Sequence, residues 1–590
     1  SLTISAIGLG VWSWMITHRD ALPSLEDKAG KNLLRQYQAS SHDTWLILLA
    51  LACISLVVML QRARNHSLSG GRRSQSEGPI RDLFRFAKEQ PAALVLFVVY
   101  TVVMVQGTTW LYPELVGWYK DVIDEQLLNN FSIRAGFIGE TMKRDDFRFF
   151  PLAHQDLHVL SWFTAYVKVW MLVSAAELIT IVVLATRFIR RLNGHDAKRG
   201  PALLLITALL LMLHPATASG FFQFIYCERF LTFIFAFYIA AYLHHQRTGS
   251  LASFYSACLF GLLGIYIKDV AIVLFIGPPL LTLLLGSLGW INGYPRWGAD
   301  TPANWLTSYR LELWLAALLP IFLCSYIVLS LLPSTYVSQG AYGDNKTIVF
   351  EPDWRFWFLT LISTARLLLA AIQKIRLHLL DCLNFSALAY AAALLLLIGF
   401  QSSKYLTLPV QLVTVLDLTW FWSAALAPRL NRALPWRATA SLGSMAALAL
   451  IGMESAWHQP SFATTVHGIK RQQASWFGAY NAASQQARLI RRNGEPVNII
   501  YNKISWLSRK RHLGRLHYDR LIEYNPETKT YLIEDGINQG GVYTPQPGDL
   551  VINIDKTISS LTPILKQQPA RLLFRFDERD NSGAIYRLQP

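Results

Sequence analysis

The residues best suited to chemistry lie in one segment, 143–163, KRDDFRFFPLAHQDLHVLSWF. Its ionisable side chains stand among aromatic ones and include Asp145, Asp146, Arg148, His154, Asp156 and His158. A carboxylate can act as a general base that removes a proton from a hydroxyl group. An arginine can bind phosphate through its planar fork of donors. The combination predicts a half-buried site at which a carboxylate acts on an amphiphilic molecule.

An alternative for the same segment is a re-entrant interfacial helix with aromatic anchors. Phe147, Phe149, Phe150, Trp162 and Phe163 would then lie at the level of the lipid headgroups. A lipid-facing segment has no use for several carboxylates, and a solvated loop has no use for so many aromatic rings. The sequence pattern leaves both interpretations open.

The two adjacent aspartates of the segment are expected to differ in role. On an extended segment, neighbouring side chains point to opposite sides. Only one of Asp145 and Asp146 can therefore face a shared cavity. We expect Asp146 to be the catalytic base and Asp145 to be hydrogen-bonded structurally, with Asp156 as the reserve candidate.

Two more charged pairs lie beside apolar segments, Glu228–Arg229 in QFIYCERFLTF and Lys268–Asp269 in GIYIKDVAIV. An ionisable group at membrane depth is costly and suggests function by default. The alternative for each pair is mutual neutralisation or interfacial snorkelling. Both pairs project to the same predicted side as the acidic segment, which predicts one shared polar cavity. Its cations, together with Arg148, would bind a lipid-linked phosphate.

A short helix is expected from about Ala153 into the next span. His154 and His158 are four residues apart and would share one face of it. With a nearby aspartate they could hold a metal ion. Histidines at an interface are also common as hydrogen-bonded caps or as contacts to a donor substrate. No HExxH, CxxC, Walker or Rossmann pattern stands in a convincing context. We expect no obligatory cofactor and assign no metal ligand, although a divalent metal is compatible with the site.

The composition is that of a polytopic membrane protein. The 590 residues are 53% hydrophobic, with a mean hydropathy of +0.29 and 19 tryptophans. Apolar runs long enough to cross about 30 Å of hydrocarbon lie near 2–17, 44–60, 91–110, 164–188, 201–218, 222–243, 251–267, 269–288, 311–332, 354–373, 384–400, 405–427 and 438–455. They predict about thirteen spans. Arg366 and Asp417 fall deeper within spans than the other charges.

The charged loops predict the orientation. Basic residues are concentrated in 61–90, 187–200 and 428–437, which share one side if thirteen helices alternate. Cytoplasmic loops are enriched in Lys and Arg, so this side should be cytoplasmic. The loops 18–43, 111–163 and 333–353 and the tail after 456 then lie outside. This enrichment also accounts for the net charge of +16 without nucleic acid.

The tail is more polar and predicts a small soluble α/β domain. Strands are expected at 497–502, 529–535, 548–555 and 570–578, and helices at 479–494 and 559–567. The predicted fold is therefore a polytopic α-helical membrane domain, 1–456, followed by an α/β domain, 457–590. Loop 333–353 is polar, contains turn-forming residues and is a candidate mobile lid. The five cysteines lie in or beside apolar segments and imply no disulfide framework.

At DDFRFFPLAHQD the chain resembles the GT-C superfamily of membrane glycosyltransferases, which use polyprenyl-phosphate sugars. In that family the first large outer loop carries an acidic motif followed by an interfacial helix. The later ER and KD pairs resemble its contacts to lipid phosphate and acceptor. The resemblance covers about three-quarters of the chain, and only the loop motif is specific. One departure is the pair of extra spans before the motif, which shifts the register of the helical module.

This resemblance implies an inverting hexosyl- or pentosyltransferase in a bacterial inner membrane, with a periplasmic tail. Its partners would be membrane lipids, a polyprenyl-phosphate-sugar donor and a glycan, lipid or protein acceptor. Bacterial arabinosyltransferases that modify pilins are one member group it suggests. The alternatives are a lipid or solute transporter and a non-catalytic scaffold for envelope assembly. A transporter would be expected to show paired repeats and broken helices at the midplane.

Overall fold

The computed structural model describes residues 2–18, 21–69, 90–110, 146–194, 200–298, 301–337, 352–398, 404–457, 460–503, 513–514, 516–553, 561–576 and 583–590. Contacts divide them into two compact units. The first holds the described residues up to 102, 146–158 and 173–465. The second holds 103–110, 159–172 and the described residues from 466 onward. Asp145, most of the basic linker 61–90 and most of loop 333–353 lie outside the described residues.

Helices dominate the described chain before residue 493. They are α1 Leu2–His18, α2 Lys28–Ser69, α3 Pro91–Val105, α4 Gln155–Ser161, α5 Val167–Leu192, α6 Gly200–Met212, α7 Pro215–Phe222, α8 Cys227–Thr248, α9 Leu251–Gly264, α10 Ile272–Ser287, α11 Pro302–Ser308, α12 Arg310–Ala316, α13 Leu318–Tyr326, α14 Leu332–Val337, α15 Trp354–Ala371, α16 Leu379–Ala393, α17 Leu408–Phe421, α18 Ala427–Leu430, α19 Trp436–Trp457 and α20 Phe462–Arg492. A π-helical turn, Ile327–Leu331, joins α13 to α14.

Six of the described helical segments are long and apolar enough to cross a membrane, and a bent pair raises the number to seven. They are Lys28–Asn65, Val167–Leu192, Asp269–Ser287, Arg310–Val337, Leu379–Leu396 and Tyr405–Leu430. Pro91–Val105 and Leu251–Gly264 are shorter apolar helices. Only 6% of the apolar window of the first segment is buried in the protein. Such an apolar surface is suited to lipid, so the chain is a multi-pass membrane protein, and the count of thirteen stays a prediction.

Three predicted boundaries in the membrane part are wrong. Helix α2 begins at Lys28, so much of the expected outer loop 18–43 is helical. Its first part, KAGKNLLRQYQASSHD, is polar but rich in good helix formers, and helix propensity does not require hydrophobicity. The second short helix expected near 153 does not continue into the next span, because α4 ends at Ser161 and α5 starts at Val167.

The predicted span 201–218 is also interrupted. Helix α6 ends at Met212, and α7 begins at Pro215 with its axis bent by 74°. A proline disfavours helical conformation in the residue before it. His214 accordingly has φ −92° and ψ 142°, and its side chain accepts a hydrogen bond from the Ala216 N–H. The break therefore places the N-terminus of α7 inside the first unit, and other groups can bind there.

The second unit contains a six-stranded mixed sheet with strand order β3-β2-β1-β4-β6-β5. The strands are β1 Asn498–Asn502, β2 Arg520–Asn525, β3 Thr530–Gly536, β4 Leu550–Asn553, β5 Ala570–Arg575 and β6 Ala584–Leu588. Strand β1 is parallel to β2 and β4, and the other pairings are antiparallel. The predicted small α/β arrangement at the C-terminal end is confirmed.

Both faces of this sheet are covered. One face packs against the Ala-rich side of α20, where Ala479, Ala483 and Ala487 are buried with the β1 residues Ile499 and Tyr501. The other face carries Ile500 and packs near the short helix α21, Thr562–Leu565. Neighbouring residues of β1 thus point to opposite faces, as a strand requires. Burial on both sides explains why β1 is apolar along most of its length.

Candidate active site

The acidic motif is held by the helix that ends at Val337. Phe147 lies in the left-handed region, with φ 61°, and its N–H donates to Ser334 Oγ at 2.9 Å. Tyr326 Oη donates to the Phe147 carbonyl at 3.3 Å, and Ser330 Oγ donates to the Arg148 carbonyl at 3.0 Å. Residues four apart share a helix face. One face of the helix therefore fixes the backbone of the motif.

The aromatic residues of the motif are not all membrane anchors. Phe149 is 2% exposed and packs edge-on against Tyr266 and Phe322, with ring centroids 5.9 and 5.6 Å away. In contrast, Trp162 and Phe163 are 50% and 77% exposed. The first half of the segment therefore packs inside the protein, and its end presents aromatic rings outward. The choice between the two interpretations stays a prediction.

Arg148 forms an ion pair with Asp269, through Nε to Oδ2 and through Nη2 to Oδ1 at 3.4 Å. Its guanidinium also lies over the ring of Phe150, 5.3 Å from the centroid. Burial alone would lower the pKa of Arg148, but Asp269 and Asp146 raise it. The pair joins the motif to the turn that precedes α10.

The next residue in this turn, Lys268, continues the cluster. Its Nζ contacts Glu228 Oε1, and the two side chains are 7% and 4% exposed. Glu228 lies in the first turn of α8, beside Arg229. A buried cation and a buried anion in contact compensate each other's charge. Either ion buried alone would be strongly unfavourable.

Arg229 is the most buried charged residue of the cluster, at 1% exposed. It contacts Asp156 through Nη2 and Glu177 through Nη1, and its Nε donates to the Phe224 carbonyl at 3.1 Å. Two carboxylates around one guanidinium leave a formal charge of about −1 at this end. Glu177 is not among the site residues predicted from the sequence, although a glutamate within the apolar run VSAAELITIVV carries the same signal as the other intramembrane charges.

The predicted site residues therefore form one continuous series of contacts. It runs from Arg148 to Asp269, through the adjacent Lys268 to Glu228, and through the adjacent Arg229 to Asp156. Asp146 is half-buried and its Oδ1 accepts a hydrogen bond from the Arg148 N–H at 3.3 Å. The expectation that three separate segments share one polar region agrees with these contacts. The chemical role of each residue stays a prediction.

His154 and His158 stand close to this cluster. Burial lowers the pKa of His154. Burial, with repulsion from His154, lowers the pKa of His158 to about 3. Both side chains are therefore neutral imidazoles at physiological pH. Within the described ranges, no group of three His, Cys, Asp or Glu side chains is placed to hold a metal ion.

The deeper charges, Arg366 and Asp417, belong to a different part of the first unit. Arg366 forms an ion pair with Asp381, its Nη2 approaches His378 Nε2 at 3.1 Å, and its guanidinium lies 4.8 Å from the ring of Trp420. Asp417 accepts a hydrogen bond from Asn384 at 3.1 Å. Asp381 therefore compensates the charge of Arg366, whereas the amide of Asn384 is uncharged and does not compensate that of Asp417.

Comparison with known proteins gives a likeness to solved structures alone. No family model matches the chain, and no curated protein matches it. Two crystal structures of ArnT from Cupriavidus metallidurans are similar to it, one bound to undecaprenyl phosphate and one in the apo state. Each is 14% identical and covers 84% of this chain and 97% of the ArnT chain. The TM-scores are 0.38 and 0.37.

Proposed function

We propose that this chain is an inverting glycosyltransferase of the GT-C type, which moves a sugar from a polyprenyl-phosphate donor to a hydroxyl acceptor. The observation that carries the proposal is the series of ion pairs between Arg148 and Asp156. It places cations and carboxylates together beside membrane-spanning helices. A lipid-linked phosphate needs the cations to bind it, and a hydroxyl nucleophile needs a carboxylate to remove its proton.

In this mechanism, a carboxylate removes the proton from the acceptor hydroxyl as its oxygen attacks the anomeric carbon. The bond from that carbon to the phosphate oxygen breaks on the opposite face, and the electron pair leaves with the phosphate. Asp146 is the favoured base. Asp156 is less suited, because its Oδ2 is already committed to the buried Arg229. Asp145 keeps the structural role proposed for it.

The cations stabilise the leaving group. A phosphate that already carries charge needs electrostatic stabilisation more than it needs an acid. Arg148, Arg229 and Lys268 each contact a carboxylate in the described structure. A lipid phosphate would therefore compete with these carboxylates for the cations. Lys268 is best suited, since a single flexible ammonium can exchange one oxygen partner for another.

The donor and the location follow from the same argument. We propose a polyprenyl phosphate as the lipid, because its anionic group would meet the cluster while its chain lies in the bilayer. Undecaprenyl phosphate, the ligand of one ArnT structure, belongs to this class. We further propose that 1–456 is the catalytic domain and that 457–590 is a periplasmic domain of a bacterial inner-membrane protein. A reporter fused after Pro590 that is active only in the cytoplasm would contradict this orientation.

Envelope analysis of a deletion strain tests the function. We expect mass spectrometry to show that one sugar is missing from an envelope glycan, lipid or pilin. The wild-type chain and Asp43→Asn, a change at an exposed position of α2, should restore it, whereas Asp146→Asn should not. Restoration by Asp146→Asn equal to wild type would favour the scaffold. The same experiment identifies the sugar and its acceptor.

Direct binding of the donor lipid tests the proposed role of Lys268. Loss of a charged hydrogen bond costs about 1.5–3 kcal/mol, so Lys268→Gln should weaken binding of undecaprenyl phosphate about tenfold or more. Lys268→Arg should retain more of the affinity, and the exposed Lys374→Gln should change nothing. Native mass spectrometry of protein with titrated lipid gives these affinities. Equal affinity of Lys268→Gln and wild type would remove Lys268 from the phosphate site.

A further inference from the structure

A cavity of about 330 Å³ lies within the first unit, apart from the ion-pair series. It is bordered by the break between α6 and α7, by the start of α15 and by α17 and α19. Its volume falls within the range of about 300–1,000 Å³ that small-molecule sites occupy. We call it the Asp353 cavity. The residues that matter to the argument are His214, Asp353, Trp354, Thr407, Gln411 and Ser455.

The polar wall of the Asp353 cavity has fixed hydrogen-bond directions. His214 Nδ1 accepts from the Ala216 N–H at 3.2 Å, so the ring carries its hydrogen on Nε2, which faces Asp353 Oδ2 at 3.4 Å. Asp353 Oδ1 accepts from the Phe356 N–H at 2.9 Å, as an N-cap of α15. Burial would raise the pKa of Asp353, but the hydrogen bond from His214 lowers it to about 2. Asp353 is therefore an ionised acceptor.

Gln411 supplies the observation that points to a ligand. Its Nε2 donates to Asp353 Oδ2 at 2.6 Å, and since a carboxylate cannot donate, this fixes the orientation of the amide. Its Oε1 then faces away from Asp353 and has no hydrogen-bond partner among the described residues. The residue is 1% exposed. A buried acceptor without a donor costs about 1–3 kcal/mol, so a donor group of a ligand would be stabilised here.

The remaining charges of the lining are compensated. Glu454 is held by Arg355, with Nη2 to Oε2 at 2.9 Å, and also accepts from Trp354 Nε1 at 2.7 Å. Arg355 in turn donates to the Leu210 carbonyl at 2.9 Å. An anionic ligand would therefore be repelled by the Asp353 carboxylate. No uncompensated cation among the described lining residues would offset this repulsion. A purely apolar ligand would leave the Gln411 acceptor unsatisfied.

The cavity also has apolar walls, which include Trp354, Phe356 and Pro215. A neutral molecule with hydroxyl donors on one edge and C–H groups on its faces satisfies both kinds of wall. An aromatic ring provides a large, rigid apolar surface for such faces. The side chain of Asp353 keeps 28% of its accessibility, so it can take further donors. A sugar ring has this combination of groups.

One turn of chain connects the cavity to the ion-pair series. Thr407 lines the cavity, and Tyr405 stacks on Tyr226 with ring centroids 3.7 Å apart. Tyr226 immediately precedes α8, which carries Glu228 and Arg229. Leu406 lies between Tyr405 and Thr407 in the sequence, and its carbonyl accepts a hydrogen bond from Tyr390 Oη at 3.3 Å. We propose that the Asp353 cavity binds a neutral glycosyl ring, with Gln411 Oε1 and the Asp353 carboxylate accepting its hydroxyl groups.

Saturation-transfer NMR on the full chain in lipid nanodiscs tests this site without requiring transfer activity. The probes are methyl α-D-mannopyranoside and methyl α-D-arabinofuranoside as free glycosides, farnesyl-phosphoryl mannose as a lipid-linked one, and decanol as an apolar one. We expect at least one glycoside to bind through its ring protons. Gln411→Leu, which removes the unpartnered acceptor, should weaken that binding about tenfold, the equivalent of one buried hydrogen bond.

Two further variants make the result decisive. Ser455→Phe should block the cavity from α19, and Gln36→Leu, at an exposed position of α2, should bind as wild type does. Binding of the lipid-linked probe alone, with the same dependence on Gln411, would support the proposal and assign the ring to a lipid-linked sugar. Binding of decanol alone, of no probe, or of glycosides equally by Gln411→Leu would overturn it. Asp146→Asn should keep glycoside binding, so failure of the proposed transfer chemistry would be distinguishable from failure of this site.

Discussion

Arg229 and Asp156 form a buried ion pair that joins the acidic motif to the first turn of α8. Glu177 provides a second carboxylate to the same guanidinium from α5. These three residues come from three separate segments of the chain and meet in one buried contact. The pairing positions the motif. It also occupies Arg229, one of the cations that we expect to bind the donor phosphate.

Removing the guanidinium should be far more damaging than removing one of its carboxylates. Arg229→Gln leaves Asp156 and Glu177 buried without their cation, which should cost about 3–5 kcal/mol of stability. Glu177→Gln leaves a one-to-one pair and should cost roughly 1–3 kcal/mol or less. Unfolding in detergent micelles monitored by denaturant titration measures the difference. Equal losses for the two variants would show that the three groups do not act as one buried cluster.

Gly264, at the end of α9, should tolerate no side chain. A Cβ there would overlap the ring of Phe275 in α10. Overpacking of this kind lowers stability by about 1–3 kcal/mol. The resulting strain would extend to the turn that contains Lys268. Gly264→Ala should therefore lower the thermal unfolding midpoint.

The matched control for this substitution is Gly452→Ala in α19. Within the described structure, a Cβ at Gly452 would meet no heavy atom within 4 Å. Alanine is favoured over glycine inside a helix by roughly 0.5–1 kcal/mol. Differential scanning fluorimetry should show an unchanged or raised midpoint for this variant. A fall as large as that of Gly264→Ala would mean that the effect does not come from the Phe275 contact.

Acidification should destabilise the first unit through His158. Burial and repulsion from His154 lower its folded-state pKa from 6.5 to about 3. Between these values the unfolded chain binds a proton that the folded chain does not, so stability is lost as the pH falls below 6.5. At pH 5.5 the loss from this one group is about 1 kcal/mol.

His158→Gln removes this titration and should reduce the fall of the unfolding midpoint between pH 7.5 and pH 5.5. His467→Gln, at an exposed position of α20, serves as the control and should behave as wild type. Thermal scans of the three proteins at both pH values make the comparison. The same pH dependence in all three would show that His158 is not buried as a neutral imidazole.

The membrane character and the meeting of the charged pairs could be predicted because each depends on one-dimensional signals. Hydropathy marks the spans, and charges on one predicted side are expected to share the cost of leaving water. The pairing of each cation with a particular carboxylate could not be predicted, because the contact of Arg229 with Glu177 depends on how α5 packs against α8. The break at His214–Pro215 had a signal, the proline, that hydropathy alone conceals.

In the second unit, four of the strands were predicted and two were missed. Strand β6, AIYRL, is short, and β2, RLIEYN, mixes charged and apolar residues on a strand paired on both sides. Such strands are stabilised by their neighbours in the sheet, which a local pattern does not contain. The early start of α20, at Phe462, was missed because its first half has few regularly spaced apolar residues.

The most direct test of the proposed function is sugar transfer from a polyprenyl-phosphate donor by purified variants of matched thermal stability. The variants are Asp145→Asn, Asp146→Asn and Asp156→Asn, with Asp43→Asn as the exposed control. Replacement of the base by an amide keeps its size and removes its basicity, so Asp146→Asn should lose roughly 10²–10⁴-fold in transfer rate. Near-normal transfer by all three motif variants would contradict the catalytic assignment and leave the motif as a structural anchor of the membrane domain.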